Sequence, residues 1–142
     1  MEDPVLLALA PARATVLGLA EGEAADLCRL ADDPWLTRGP EASCYEMIQR
    51  ATGAAGFVPG IRVRSSDFSV LTSLAAAAAG VALVPRLALP EANAPLSLHP
   101  LMQPVTRTVH TASRTGTADR PGLRHLLDVL EETAAASLTA PA

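Results

Sequence analysis

Apolar residues fall in short blocks separated by prolines, glycines and charged clusters, and the period within each block predicts its conformation. Residues 5–10 form an uninterrupted apolar run stopped by Pro11, the pattern of a strand buried on both faces. Residues 21–29 predict a short helix with Leu27 and Leu30 on its buried side and Asp32-Asp33-Pro34 as its stop. Trp35-Leu36 reads as a brief strand, Thr37-Arg38-Gly39-Pro40 as a loop, and 41–53 as a helix in which Tyr45, Ile48 and Ala51 or Thr52 recur at helical spacing. Residues 61–65 alternate apolar and polar, as a strand with one wet face does. Ser66 or Asp67 is placed to cap a helix through Ala79, with Gly80 as its C-terminal stop. Residues 81–84 are a second continuous apolar strand halted by Pro85, and 86–89 allow at most one helical turn before Pro90. Beyond a proline-bearing connection, 96–98 and 105–112 read as extended. Leu123, Leu126, Leu127 and Leu130 then share one face of a last helix over about 121–136.

Strands alternating with helices predict an α/β architecture with a mostly parallel sheet. The runs that would build it are few for an independent doubly wound domain, and 142 residues suit one domain or part of a larger one. Hydrophobic residues at 49% and charged residues at 18% exclude a disordered tail. Aromatics at 3% leave the core to Ala, Leu and Val and exclude a platform for stacking bases. A net charge of −4 argues against direct binding of DNA by these residues. The longest apolar stretch, 74–83, is half the ~20 residues that span a bilayer and contains Gly80, so no membrane span is expected. The acidic start of the chain is unlike a secretory signal, and two cysteines are too few for a disulfide scaffold. A soluble, cytoplasmic protein is expected.

No catalytic centre emerges. Nucleophile-elbow, phosphate-loop and dinucleotide-binding patterns are all missing, so neither an enzyme nor a cofactor is expected. His99, His110 and His125 lack metal-ligand spacing and read as ordinary strand or helix positions, and no metal site is expected. Asp32-Asp33 read as a helix terminus before Pro34 rather than as paired carboxylates. Cys44, near a helix start, reads as a small buried apolar residue more readily than as a reactive thiol. The loop 37–43 is more informative, because it joins the C-terminal end of a strand to a helix, where ligands sit in open α/β sheets. Arg38 there is either a forked partner for a carboxylate or a solvated loop arginine beside a capping hydroxyl. Phe57, between Gly56 and the Val58-Pro59 pair, serves either ligand contact or core closure, with core closure the more economical role.

Several of these pieces carry a resemblance in their order and spacing: residues 4–10, 27–35, Gly56-Phe57-Val58-Pro59, 74–86 and 101–130. The most specific is Ala78-Ala79-Gly80-Val81-Ala82-Leu83-Val84-Pro85-Arg86, similar to the helix-end and strand signature of the co-inducer-binding domain of LysR-type transcriptional regulators. The resemblance implies a periplasmic-binding-protein-like (type 2) α/β fold, with two subdomains joined by crossing strands and a small effector held between them. In that frame 14–98 resemble the whole second subdomain, and 1–13 with 99–136 resemble the crossing strands and the closing part of the first, leaving 137–142 as a frayed tail. The DNA-binding helix-turn-helix and the first half of the first subdomain have no counterpart in these residues. The effector contacts carried over by position are Thr37, Arg38, Ser43, Phe57 and Pro59. The implied function is effector sensing by a transcription regulator, with a small carboxylate or aromatic acid shifting oligomer geometry. Expected partners are that effector and a second subunit, either in a homo-oligomer such as a dimer or from a full-length relative. A free-standing small-molecule-binding protein is the remaining alternative.

Overall fold

The computed structural model describes residues 1–89, 95–117 and 120–139. Strand β1, Glu2–Leu9, begins three residues before the apolar run because its two halves have different partners. Val5 to Ala8 pair antiparallel with β4, Val81–Pro85, and Leu7 to Leu9 pair antiparallel with β5, Ser97–His99. Glu2 to Pro4 pair with β6, Thr106–Thr108, so one unbroken strand serves the main sheet and a short ribbon beside it. Its apolar half is buried from both sides, which is why the sequence there does not alternate.

The next segment departs from the local pattern. Helix α1 is Pro11–Leu17, with Pro11 at its first turn and Gly18 closing it in the left-handed region at φ 67°. The helix expected over 21–29 does not form. Ala25 is instead held extended against Leu101, its N–H donating to Pro100 O at 2.8 Å and its carbonyl accepting from Met102 N at 3.0 Å. Leu27 and Leu30 are buried as expected, but on a 3-10 turn, Leu27–Leu30, capped by Asp26. Asp33, expected to mark a helix end, forms a forked ion pair with Arg13 of α1 at 2.9 and 2.7 Å.

Strands β2, Pro34–Thr37, and β3, Gly60–Arg64, flank helix α2, Ser43–Ala54, whose Cys44, Met47, Ile48 and Ala51 form its buried stripe. Helix α3, Phe68–Ala76, starts where Asp67 accepts from Ser69 N at 2.8 Å. It ends three residues before the expected Ala79, since Ala78 takes the left-handed conformation at φ 59° and Ala79 N bonds back to Leu74 O. Gly80 therefore does not stop the helix. A Cβ there would run into the Pro34 carbonyl and the Leu36 side chain, so glycine is what lets β4 approach β2. Gly80→Ala is expected to cost about 2 kcal/mol; an unchanged midpoint in urea unfolding would show that the two strands can part without loss.

The strand order is β3-β2-β4-β1-β5, with β6 paired to β1. β2 runs parallel to β3 and β4, while every β1 pairing is antiparallel, so the sheet is mixed rather than mostly parallel. The cause is that β1 enters between β4 and β5 from the ribbon side. One face packs Leu7, Leu9, Trp35, Val81 and Leu83 against α1 and α2, and the other packs Ala8, Leu36, Ala82 and Val84 against α3. Of the extended stretch expected over 105–112 only β6 is strand, and the proline-bearing connection at 90–94 lies outside the described residues. Helix α4, Pro121–Thr139, continues three residues past its expected end, and 140–142 lie outside the described residues.

Candidate functional site

β2 and β3 are parallel, so their C-terminal ends open at one edge of the sheet, beside the starts of α2 and α3. Thr37 is the last residue of β2 and fully buried; its carbonyl accepts from Ser65 N at 3.0 Å, tying the two strand ends together. Its Oγ1 is buried without a hydrogen-bond partner. The next residue, Arg38, is half-buried, and its Nε is likewise buried and unpartnered. Its guanidinium lies 5.1 Å from the centroid of the Phe68 ring, a cation–π contact that holds the group in place without using its N–H donors. Orphaned polar atoms on two consecutive residues are unusual in a folded interior and mark a strand end where ligand or water completes the bonding.

Ser43 stands exposed as the first residue of α2. The residue before it, Ala42, has no side chain to cap the helix, so no hydroxyl or carboxylate serves the opening N–H groups of α2. The capping-hydroxyl reading of this loop therefore does not hold. Ser43 borders a cleft of about 530 Å³ whose far wall is Thr106 to His110, with Cys44 and Arg50 between them. Ser43 thus shares this cleft with β6 and the two residues after it, while Thr37 and Arg38 do not line it.

The structure brings Thr37, Arg38 and Ser43 to this edge and places Phe57 and Pro59 elsewhere. Pro34 is in register with Gly60, so Pro59 and Phe57 precede the N-terminal end of β3, the other end of the parallel strands, about 10 Å away along β2. Phe57 closes the core there, its ring 5.8 Å from that of Trp35 at 44°. Ser65, Asp67 and Phe68 belong to the edge; the sequence offered Asp67 only as a helix cap and did not single out the other two. Applying the strand-end rule to β3 as well as β2 would have named them. The Asp67 carboxyl is held below its ordinary range by the Ser69 backbone N–H, then by the Ser69 hydroxyl, with a smaller contribution from the Arg38 charge.

Among the described residues no other group suggests chemistry. Cys44 is buried, and Cys28 is exposed with its thiol donating to Ala55 O at 3.3 Å. Hydrogen bonding to Asp26, then burial, raises the Cys28 pKa and disfavours a thiolate. His99 is fully buried, fixed by Ser97 Oγ at 2.7 Å and by the Glu23 carbonyl at 3.0 Å, a brace between β5 and the loop before Ala25. Among the described residues no cluster of His, Cys, Asp or Glu could hold a metal ion, and no helix is long and apolar enough to cross a membrane.

A mixed open sheet with helices on both faces, entered by a strand shared with a second ribbon, is the architecture of periplasmic-binding-protein-like (type 2) effector-binding domains. The family model for the LysR substrate binding domain matches residues 1–135, and the chain belongs to that family. The fold recurs in the effector-binding domain of QuiR in complex with shikimate, at TM-score 0.70 and 14% identity over 89% of this chain and 59% of that one. It recurs in HinK, a LysR family regulator from Pseudomonas aeruginosa, at 0.67 and 15% over 92% and 45%. The C-terminal domain of a probable LysR family regulator from a Rhodococcus species matches at 0.62 and 19% over 75% and 52%. The chain thus spans about half the length of these structures. No curated protein sequence matches it. The family and fold are those of regulator effector-binding domains, not of enzymes.

Proposed function

We propose that this chain is the effector-sensing part of a transcription regulator and that it takes a small carboxylate at the Thr37–Arg38–Ser43 edge. The observation that carries the reading is that Thr37 Oγ1 and Arg38 Nε, on consecutive residues at the end of β2, are buried and unpartnered, and that the helix the loop leads into, α2, starts uncapped. An arginine fork, a hydroxyl and free helix N–H groups together make a complementary surface for a carboxylate. Residues 14–98 supply one wall, and the crossing strands and α4 region, 1–13 and 99–136, lead to the opposite one. Phe57 and Pro59 act on this site only through the core behind it. An effector that binds one relative arrangement of the walls better than another shifts their equilibrium, and a second regulatory subunit reads the shift as altered oligomer geometry. The setting for this activity is the cytoplasm.

Thermal unfolding with shikimate, benzoate and uncharged amide analogues tests the proposal. A carboxylate present at a hundred times its Kd stabilises by about 2.7 kcal/mol, a shift on the order of 8 °C for a domain of this size. Arg38→Ala is expected to abolish the shift, and Arg38→Lys, which keeps the charge but loses the fork, to reduce it. A full carboxylate shift in Arg38→Ala would remove Arg38 from the site. Equal shifts from acids and amides would refute the anionic ligand.

A further inference from the structure

We propose that the cavity between the second half of α2 and residues 102–106 is a second small-molecule site, built for a monocarboxylate with a flexible apolar body of the medium-chain fatty acid kind. The cavity measures about 600 Å³, the size of a small-molecule site, and none of Thr37, Arg38 and Ser43 lines it. The inference is therefore independent of the effector reading.

Met47, Arg50, Ala51 and Ala54 stand at i, i+3, i+4 and i+7, so one face of α2 forms the first wall. Its alanines are short, and the opposite wall is not free to close over them. Met102 N donates to Ala25 O at 3.0 Å and Val105 O accepts from Val5 N at 2.9 Å, which pins that wall at both ends. The hollow is thus formed before any ligand arrives. Buried Ala25 and Leu27 line it from within, and Met102, 65% exposed, leaves a large apolar side chain wet at its mouth. The lining is chiefly aliphatic and thioether and holds no aromatic ring, which suits an alkyl chain that the flexible methionines can follow. Arg50 is the one cation that borders the cavity, and it borders the Ser43 cleft as well, so it stands at the end nearer β6. It is exposed, and among the described residues its guanidinium has no ion-pair partner, Glu46 one turn earlier included. Its fork matches one carboxylate. Toward the C-terminal end of α2 the Cys28 thiol already donates to Ala55 O, and Asp26 accepts from Cys28 N at 2.9 Å. The Asp26 charge excludes a second carboxylate there, which selects a monoanion.

Octanoate titrated into the 142-residue chain, read by the signals of isotope-labelled methionine methyl groups, tests the proposal. Of the three methionines, Met47 and Met102 line the cavity, while Met1 lies outside it, bonded to Val109 at the end of the ribbon. Octanoate is expected to shift the first two signals and leave that of Met1 in place. Arg50→Gln, and octanamide in place of the acid, each weaken binding about tenfold, and octanedioate binds less tightly than octanoate. Ala54→Trp, at an exposed position where a large ring fills the hollow, abolishes the shifts, and Arg38→Ala leaves them unchanged. No shift at millimolar octanoate would overturn the proposal, as would shifts that survive both Arg50→Gln and Ala54→Trp. Equal affinity for octanoate and octanamide would refute the carboxylate. Binding lost in Arg38→Ala but kept in Arg50→Gln would move octanoate to the effector edge, overturning the second site and leaving the effector reading in place.

Discussion

Trp35→Ala lowers the free energy of unfolding by about 4 kcal/mol, the largest loss expected from any single truncation in this chain. Trp35 is the sole tryptophan and is fully buried on the face of β2 that meets α1 and α2. Its ring lies against Phe57, and its Nε1–H donates to Leu30 O at 3.1 Å, fastening the 3-10 turn to the sheet. Alanine removes the ring, leaves a cavity between β2 and α2, and takes away one of the two donors to the Leu30 carbonyl, which Asp33 N still serves at 3.1 Å. Trp35→Phe refills most of the space but not the hydrogen bond, and costs about 1–2 kcal/mol. Urea unfolding followed by circular dichroism separates the two variants. An alanine variant that loses less than about 1 kcal/mol would mean that the core closes over the gap.

Arg107→Ala costs about 3 kcal/mol, because it strands a carboxylate in the interior. Asp3 is fully buried on β1; one oxygen accepts from Arg107 Nε at 2.7 Å across the ribbon, and the other from Leu87 N at 3.0 Å just beyond β4. The side chain of Arg107 is 35% exposed, so water compensates part of the arginine's own loss but none of the buried acid's. The double variant Asp3→Leu with Arg107→Leu recovers most of the stability, since an apolar pair of similar bulk needs no partner. If the single variant proved harmless, water would have to reach Asp3 once the arginine is gone. The double-mutant cycle measured by urea unfolding reads the coupling directly.

Elements whose signal is local were legible in the sequence. The runs around Val5, Trp35 and Val81 are strands, and the stripes through Ile48 and Leu127 are helices, because period and punctuation agree there. What stayed hidden is set by distant partners. Ala25 is extended because Leu101 lies beside it, so the apolar spacing of Leu27 and Leu30 gave a helix that the backbone cannot form. α1 escaped notice because only Ala14 and Leu17 of its short span are buried. The direction of β1 depends on which neighbours it finds and leaves no trace in its composition. At the candidate site, the loop after β2 followed from the strand-end rule. The opposite placement of Phe57 and Pro59 required the parallel register of Pro34 with Gly60. Phe68 looked like an ordinary first residue of a helix, and its place under the Arg38 guanidinium became visible only in three dimensions.

The continuity of β1 limits how the two parts of the molecule can move. Glu2 to Pro4 are in fixed register with β6, and Val5 to Leu9 with β4 and β5, so the strand is clamped at both ends. Sliding one part past the other by a single residue would turn every side chain of β1 to the wrong face. The join between the two halves is stiff as well, because the Pro4 ring fixes its own φ and Val5 N reaches across to Val105 O at 2.9 Å. The ribbon and the main sheet therefore share one continuous, hydrogen-bonded spine, and a register error in either would be felt in both.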